Sequence, residues 1–176
     1  MDDFWADGES RLTGAPLTPE AVRAAEEVLG YKLPESYLRV LRIRNGGLIR
    51  RRCFPTQVPT SFAIDHVEVT AVFGIGCRWG IDGSFNSQHK IREYNYPNVG
   101  VVIAETPEGG YDTVMLDYSV CGPGGEPRVI HADTEDGQQV ITVLAPDFEA
   151  FARGLVDCER SWAEIAEPGA TPRHGS

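Results

Sequence analysis

The most reactive side chains of this chain are spread along it and form no recognisable catalytic motif. A Cys–His pair for nucleophilic catalysis would need Cys77 to meet His89 or His131 in the fold, and nothing in the sequence requires such a meeting. The dipeptide Gly83-Ser84 lacks the GxSxG pattern of a hydrolase nucleophile. The sequence therefore predicts a protein that is not an enzyme.

Carboxylate pairs and metal sites have little support either. Asp112 and Asp117 lie five residues apart on one expected strand, so they are predicted to face opposite sides of the sheet. The acidic turn of Asp133, Glu135 and Asp136 offers oxygen ligands for a weak calcium site, but it lacks the glycine and glutamate spacing of an EF-hand. A solvated loop is the better interpretation, and we predict no metal and no cofactor.

One glycine-rich segment, from Gly74 to Gly80, approaches the pattern of a dinucleotide-binding loop. Trp79 stands where GxGxxG requires its third glycine, and an indole there would prevent close packing of helix on strand. We therefore reject a Rossmann site. Trp79 itself is either an aromatic anchor for a partner or a core residue.

Composition indicates a single globular domain with an uneven charge. The chain has 176 residues, of which 41% are hydrophobic and 24% are charged. Residues 104–176 hold 14 acidic and 4 basic side chains, which equals the whole net charge of -10. Such a surface repels nucleic acid and membranes and attracts basic partners, although it also simply favours solubility.

The cysteines and the N-terminus favour a cytoplasmic protein. The first ten residues are acidic and lack the positive segment of a signal peptide, and no apolar run reaches the roughly 20 residues of a membrane helix. The four cysteines are far apart and form no CxxC pair, which predicts free thiols in a reducing compartment. They are Cys53, Cys77, Cys121 and Cys158.

Hydrophobic periodicity places helices at both ends of the domain and strands between them. Residues 18–46 read as two helices, capped by Thr18 and closed by Asn45-Gly46. Alternating or apolar segments predict strands at 66–74, 99–105, 111–118, 127–131 and 140–144, and a short helix is expected within 84–94. Pro146 opens a last helix, in which Phe148 and Phe151 share a face.

The predicted architecture is α+β: a mainly antiparallel sheet of five to six strands flanked by an N-terminal helix pair and a C-terminal helix. Residues 1–16 are expected to be a loose leader, although Phe4, Trp5 and Leu12 are apolar enough to dock on the body. Residues 17–166 form the predicted domain. Residues 167–176 form a flexible tail.

Four separated signatures resemble the SUKH superfamily, which contains fungal cell-wall assembly regulators and bacterial immunity proteins. The first runs from Glu26 and Gly30 through Leu33-Pro34-Glu35-Ser36-Tyr37 to Asn45-Gly46-Gly47. The others are the Gly-x-Gly at 74–76, the hairpin at 103–118 ending in Leu116-Asp117, and the closing Phe-x-x-Phe helix. The resemblance covers residues 18–155 in the expected order.

The resemblance implies binding and no catalysis. The expected function is that of an immunity protein, which would neutralise a polymorphic toxin, often a nuclease, by blocking its active site. Carboxylates would then mimic the phosphates that a basic nuclease site holds, with an aromatic anchor beside them. The candidate contact residues are Glu105, Asp112, Asp133, Glu135, Asp136 and Trp79. The alternative is a regulatory scaffold of cell-wall synthesis or signalling, and the oligomeric state is left open.

Overall fold

The computed structural model describes residues 3–158, which form four helices and eight strands. The helices are α1 (Pro19–Leu29), α2 (Glu35–Ile43), α3 (Ser87–Glu93) and α4 (Phe148–Gly154). The strands are β1 (Gly47–Leu48), β2 (Cys53–Pro55), β3 (His66–Glu68), β4 (Ala71–Val72), β5 (Gly100–Glu105), β6 (Asp112–Asp117), β7 (Arg128–Asp133) and β8 (Val140–Ala145). Within this described part, no helix is long and apolar enough to cross a membrane.

The strands form one antiparallel sheet of six and a separate antiparallel pair. The large sheet has the order β1-β4-β5-β6-β7-β8, and β2 pairs with β3. Every residue of β6 is buried, because β6 is central and both of its faces are covered. The α+β class and the antiparallel sheet predicted from the sequence are confirmed.

The first helix begins and ends where its sequence indicates. Thr18 accepts a hydrogen bond from the Ala21 amide at 3.2 Å, and Pro19 occupies the first turn, where its missing N–H costs nothing. Gly30 ends the helix with φ 77° and donates its N–H to the Glu26 carbonyl oxygen. Tyr37 of α2 then packs edge-on against Phe148 of α4, with ring centroids 5.1 Å apart.

Two of the glycine signatures meet in the fold, joined by the side chain of Asn45. This side chain is buried, donates to the carbonyl oxygens of Ala15 and Ile75 at 2.7 and 2.8 Å, and accepts the Ile75 amide at 2.9 Å. The backbones touch here: a Cβ on Gly74 would lie 2.3 Å from the Asn45 carbonyl oxygen, and one on Gly46 would lie 2.5 Å from the Gly74 nitrogen. Glycine is needed at both positions because the two loops pack backbone against backbone.

The predicted leader contributes to the core. Phe4, Trp5 and Leu12 are buried, and the Trp5 indole N–H donates to the Val40 carbonyl oxygen at 3.1 Å. Trp5 also forms an isolated antiparallel bridge with Ile49. The predicted tail, 167–176, lies outside the described residues.

The single strand predicted at residues 66–74 is wrong in detail, because the chain changes sheets within it. His66–Glu68 pairs with β2, whereas Ala71–Val72 lies between β1 and β5. Both pieces alternate in the same way, so periodicity alone could not reveal the break.

The prediction of free thiols is wrong for two of the four cysteines. Cys53 of β2 and Cys158 form a disulfide whose Cα atoms are 5.0 Å apart and whose sequence separation is 105. Backbone hydrogen bonds also hold the segment after α4 against β2, since Cys53 and Val156 exchange bonds of 3.0 and 2.8 Å. Cys77 and Cys121 are free. Free thiols therefore no longer support a reducing compartment.

Candidate functional site

The antiparallel order of the large sheet brings the predicted contact residues to one end of it. Glu105 ends β5, Asp112 begins β6 and Asp133 ends β7. Asp112 and Asp133 are direct register partners across β6 and β7. The β7–β8 turn with Glu135 and Asp136 extends from the same end. We call these five carboxylates, Glu105, Asp112, Asp133, Glu135 and Asp136, the acidic end of the sheet.

Hydrogen bonds hold the acidic turn against two neighbouring tyrosines. The Thr134 hydroxyl lies 3.0 Å from the carbonyl oxygens of both Tyr94 and Tyr111, and its amide donates to the Tyr111 carbonyl oxygen at 2.8 Å. The Asp133 carboxylate accepts the Glu135 amide at 2.9 Å. The turn is thereby fixed to the end of α3 and to the β5–β6 hairpin, while the side chains of Glu135 and Asp136 are exposed.

Asp112 does not offer its carboxylate to the surface. It is 3% exposed, and its two carboxylate oxygens are engaged by the Thr106 hydroxyl at 2.5 Å and by His131 Nε2 at 2.7 Å. His131 is 1% exposed. The buried pair of Asp112 and His131 joins the start of β6 to the neighbouring strand β7. Asp112 is therefore a structural residue of the acidic end. Asp133 is also buried and caps the turn.

Glu105 and Trp79 lie at the surface beside a cluster of arginines. The Glu105 carboxylate forms an ion pair with Arg11 at 2.7 Å. Trp79 is half-buried and stacks on Phe85 with centroids 4.4 Å apart. The guanidinium groups of Arg11 and Arg78 lie over the indole at 5.4 and 5.6 Å. Trp79 therefore packs on a neighbour and keeps part of its surface accessible, and its role as an anchor for a partner stays a prediction.

A cleft of about 280 Å³ opens beside Trp79 and reaches the acidic end. Glu105 and Arg11 stand on it together with Trp79, and Asp112 contributes to its lining. Its aromatic lining is completed by Phe73, Tyr94 and Tyr96. The Tyr96 hydroxyl bonds the carbonyl oxygens of Gly110 and Asp112 at 2.7 and 3.0 Å, which fixes the hairpin as one wall.

Lys90 of α3 lines this cleft and has an unusual environment. Its ammonium lies 4.3 Å from the centre of the Phe73 ring and donates to the Phe85 carbonyl oxygen. Burial lowers the pKa of Lys90 to about 8, although the carboxylate of Glu105 acts in the opposite direction. No sequence pattern marks this lysine, because its burial depends on α3 packing against the sheet.

The geometry gives little support to nucleophilic catalysis by Cys77. Its thiol lies 3.7 Å from the Leu12 carbonyl oxygen, and burial raises the pKa of Cys77, which disfavours the reactive thiolate. His131, one of its two predicted partners, is hydrogen-bonded to Asp112. Among residues 3–158, no group of three or more His, Cys, Asp or Glu residues could hold a metal ion.

Sequence reasoning missed several exposed apolar side chains near the acidic end. Tyr111 is 60% exposed, and β8 presents Val140, Ile141 and Val143 to solvent. β8 is an edge strand of the large sheet. Its composition matches that of a buried strand, so the sequence gives no signal that its side chains are exposed.

The elements from α1 to α4, and the contact of Asn45 and Gly46 with Gly74 between them, which we call the glycine junction, all lie within the range of one family model. The model of the SMI1/KNR4 family (SUKH-1) matches residues 16–154. The chain belongs to the SMI1/KNR4 family. No curated protein and no solved structure shows significant similarity to the chain.

Membership of the SMI1/KNR4 family explains the resemblance noted in the sequence. The SUKH group includes immunity proteins and cell-wall regulators, and its members are generally not catalytic. The matched range includes Asn45, Gly46 and Gly74 of the glycine junction and the five carboxylates of the acidic end, whereas Arg11 and Leu12 of the cleft lie before it.

Proposed function

We propose that this protein is an immunity protein that binds a cognate toxin domain and blocks its active site without catalysing a reaction. The toxin is expected to be basic at its contact surface, as a nuclease is. Exposed carboxylates of the immunity protein would take the positions that substrate phosphates occupy, and exposed aromatic side chains would anchor the contact. We place this action in the cytoplasm, where a nuclease meets nucleic acid.

The observation that carries the proposal is the joint exposure of acids and aromatics at the acidic end. Glu135 and Asp136 are exposed on a turn that hydrogen bonds fix between Tyr94 and Tyr111. A turn fixed in this way loses little conformational entropy on binding, which favours affinity. Glu105 and Trp79 continue the same surface across the cleft.

Two of the proposed contact residues act indirectly in this scheme. The carboxylates of Asp112 and Asp133 are turned inward, where they hold the hairpin and the acidic turn. Direct contact is therefore assigned to Glu105, Glu135, Asp136 and Trp79. This division predicts that neutralising Asp112 changes stability, whereas neutralising Glu135 changes binding.

The test is co-expression with any toxin domain found to be encoded beside this gene, followed by measurement of rescue and of association rates at low and high salt. The variant E135Q/D136N should associate about tenfold more slowly than the wild type at low salt and show a weaker salt dependence. The matched control E27Q/D157N removes the same charges at exposed positions on α1 and after α4, and it should behave like the wild type.

Two outcomes would contradict different parts of the proposal. Failure to rescue from the neighbouring toxin would exclude the immunity function. Rescue with association indifferent to salt and to E135Q/D136N would retain immunity but reject the phosphate-mimic surface.

A regulatory scaffold of cell-wall synthesis or signalling is the second candidate function. The observation in its favour is membership of the SMI1/KNR4 family, since the group includes cell-wall regulators as well as immunity proteins. A scaffold would bind a housekeeping partner transiently and would have no toxin gene beside it. Gene context separates the two candidates before any protein is made.

A further inference from the structure

The cleft beside Trp79 contains a cation whose bonding is incomplete. Lys90 carries three N–H donors, of which one is used on the Phe85 carbonyl oxygen, while the Phe73 ring lies against the ammonium. Among residues 3–158, no carboxylate forms an ion pair with Lys90. A partly desolvated ammonium that lacks an anionic partner is a good receptor for an anion.

The acids of the cleft do not supply that partner, because each is engaged elsewhere. Glu105 acts on the Lys90 ammonium only through space and forms its direct ion pair with Arg11, at 2.7 Å. The carboxylate of Asp112 accepts from Thr106 and contacts His131. Within the described lining, an incoming carboxylate would therefore meet the Lys90 ammonium, which has no ion pair there, beside the paired Arg11 and Glu105.

The remaining lining sets the kind of molecule that carries the carboxylate. Tyr94 and the half-buried Trp79 provide most of the accessible aromatic surface, since Phe73 and Tyr96 are 5% and 3% exposed. A volume of about 280 Å³ lies at the lower limit for ligand pockets and suits a body the size of one aromatic side chain. The β5–β6 hairpin, which forms one wall, packs closely on the Tyr94 ring, since a Cβ added to Gly110 would lie 2.4 Å from that ring.

We propose that this cleft binds a small carboxylic acid with an aromatic body, the carboxylate pairing with the Lys90 ammonium and the body packing on the aromatic lining. The same chemistry is present in a free aromatic acid and in the C-terminal carboxylate of a peptide that ends in phenylalanine. The site goes beyond toxin inhibition and does not depend on it. With a pKa of about 8, Lys90 is predominantly protonated at pH 7, as the pairing requires.

The experiment is calorimetric titration of the full chain at pH 7 with phenylacetate, and with phenylacetamide, which has the same body and no charge. We expect a dissociation constant of about 1 mM or tighter for phenylacetate. Phenylacetamide should bind at least tenfold more weakly. Equal binding of phenylacetate and phenylacetamide would overturn the role of Lys90. Absence of binding by both phenylacetate and the free peptide described below would overturn the site.

The chain offers a matched control, because it contains two lysines, Lys32 and Lys90. Lys32 is exposed and paired with Glu26. K90M should weaken phenylacetate binding at least tenfold, whereas K32M should leave it unchanged. If K90M fails to fold, Y94A serves instead, because Tyr94 is 41% exposed, and a loss of about fivefold is expected. Unchanged binding by folded K90M, or by Y94A in its place, would refute the assignment.

Two further arms separate the possible sources of the carboxylate. The peptide Gly-Gly-Phe with a free C-terminus is compared with its amide. Binding of phenylacetate together with the free peptide supports a site open to both sources. Binding of the free peptide alone assigns the site to a C-terminus, and binding of phenylacetate alone assigns it to a free acid.

Discussion

Removal of the disulfide between Cys53 and Cys158 should lower the free energy of unfolding by several kcal/mol. The perturbation is C158S, which leaves the buried Cys53 in place as a small apolar side chain. The bond closes a loop with a sequence separation of 105. The chain-entropy relation for a loop of that length gives about 4.8 kcal/mol at 25 °C.

That value is the upper end of the expected loss of stability, since removal of a native disulfide usually costs about 2–5 kcal/mol. A loss of this size is a large fraction of the roughly 5–15 kcal/mol that stabilises a domain. The backbone hydrogen bonds between Cys53 and Val156 remain in the variant, so the native fold is expected to persist at 25 °C. The effect should arise mainly in the unfolded chain, which gains freedom when the loop is opened.

The assay is urea unfolding of three samples: the oxidised wild type, the wild type reduced with dithiothreitol, and C158S. The reduced wild type and C158S should coincide, and both should show a larger dependence on urea because their unfolded chains are more expanded. C121S is the control, since Cys121 is exposed and free. A difference below about 1 kcal/mol between oxidised wild type and C158S would refute the reasoning, as would an unbridged wild type after air oxidation.

Three further predictions concern other buried polar groups. N45A should lower the free energy of unfolding by about 3 kcal/mol in a urea titration, because it leaves three backbone groups of Ala15 and Ile75 without their partner; an effect under 1 kcal/mol would contradict the junction. D112A should lower the free energy of unfolding by about 3 kcal/mol, because it leaves the buried ring nitrogen of His131 without its hydrogen-bond partner, while the circular dichroism of the folded protein stays unchanged. Because burial lowers the pKa of Lys90 from 10.5 to about 8, the unfolded chain binds more protons between these values. The free energy of unfolding should therefore rise between pH 8 and 10, by about 1–2 kcal/mol after allowance for solvent screening, and K90M should remove that rise.

Local patterns predicted the regular elements well. Thr18, Pro19 and Gly30 define α1 through their own backbone preferences, and β5 is apolar from Gly100 to Ala104 because this part is buried on both faces. Such signals lie within the element itself. They do not depend on what the element contacts.

The features that sequence reasoning missed depend on distant contacts. Cys53 and Cys158 are brought together by the folding of the intervening chain, and their spacing carries no signal. The burial of Asp112 depends on His131 from the next strand. The ends of adjacent strands could be inferred to meet, but which carboxylates turn inward is decided by packing.

The composition of β8 has a consequence for how copies of this protein behave in concentrated solution. Its six residues, VITVLA, include neither a charge nor a proline, the usual protection of a sheet edge against stacking with another chain. Glu135, Asp136 and Asp147 flank the strand in sequence and act as gatekeepers, since a second copy would bring the same charges against them. The acids that we assign to recognition thus also preserve solubility. Exchanging them for neutral residues to probe a partner should be accompanied by a check for self-association, above all in high salt, where the repulsion is screened.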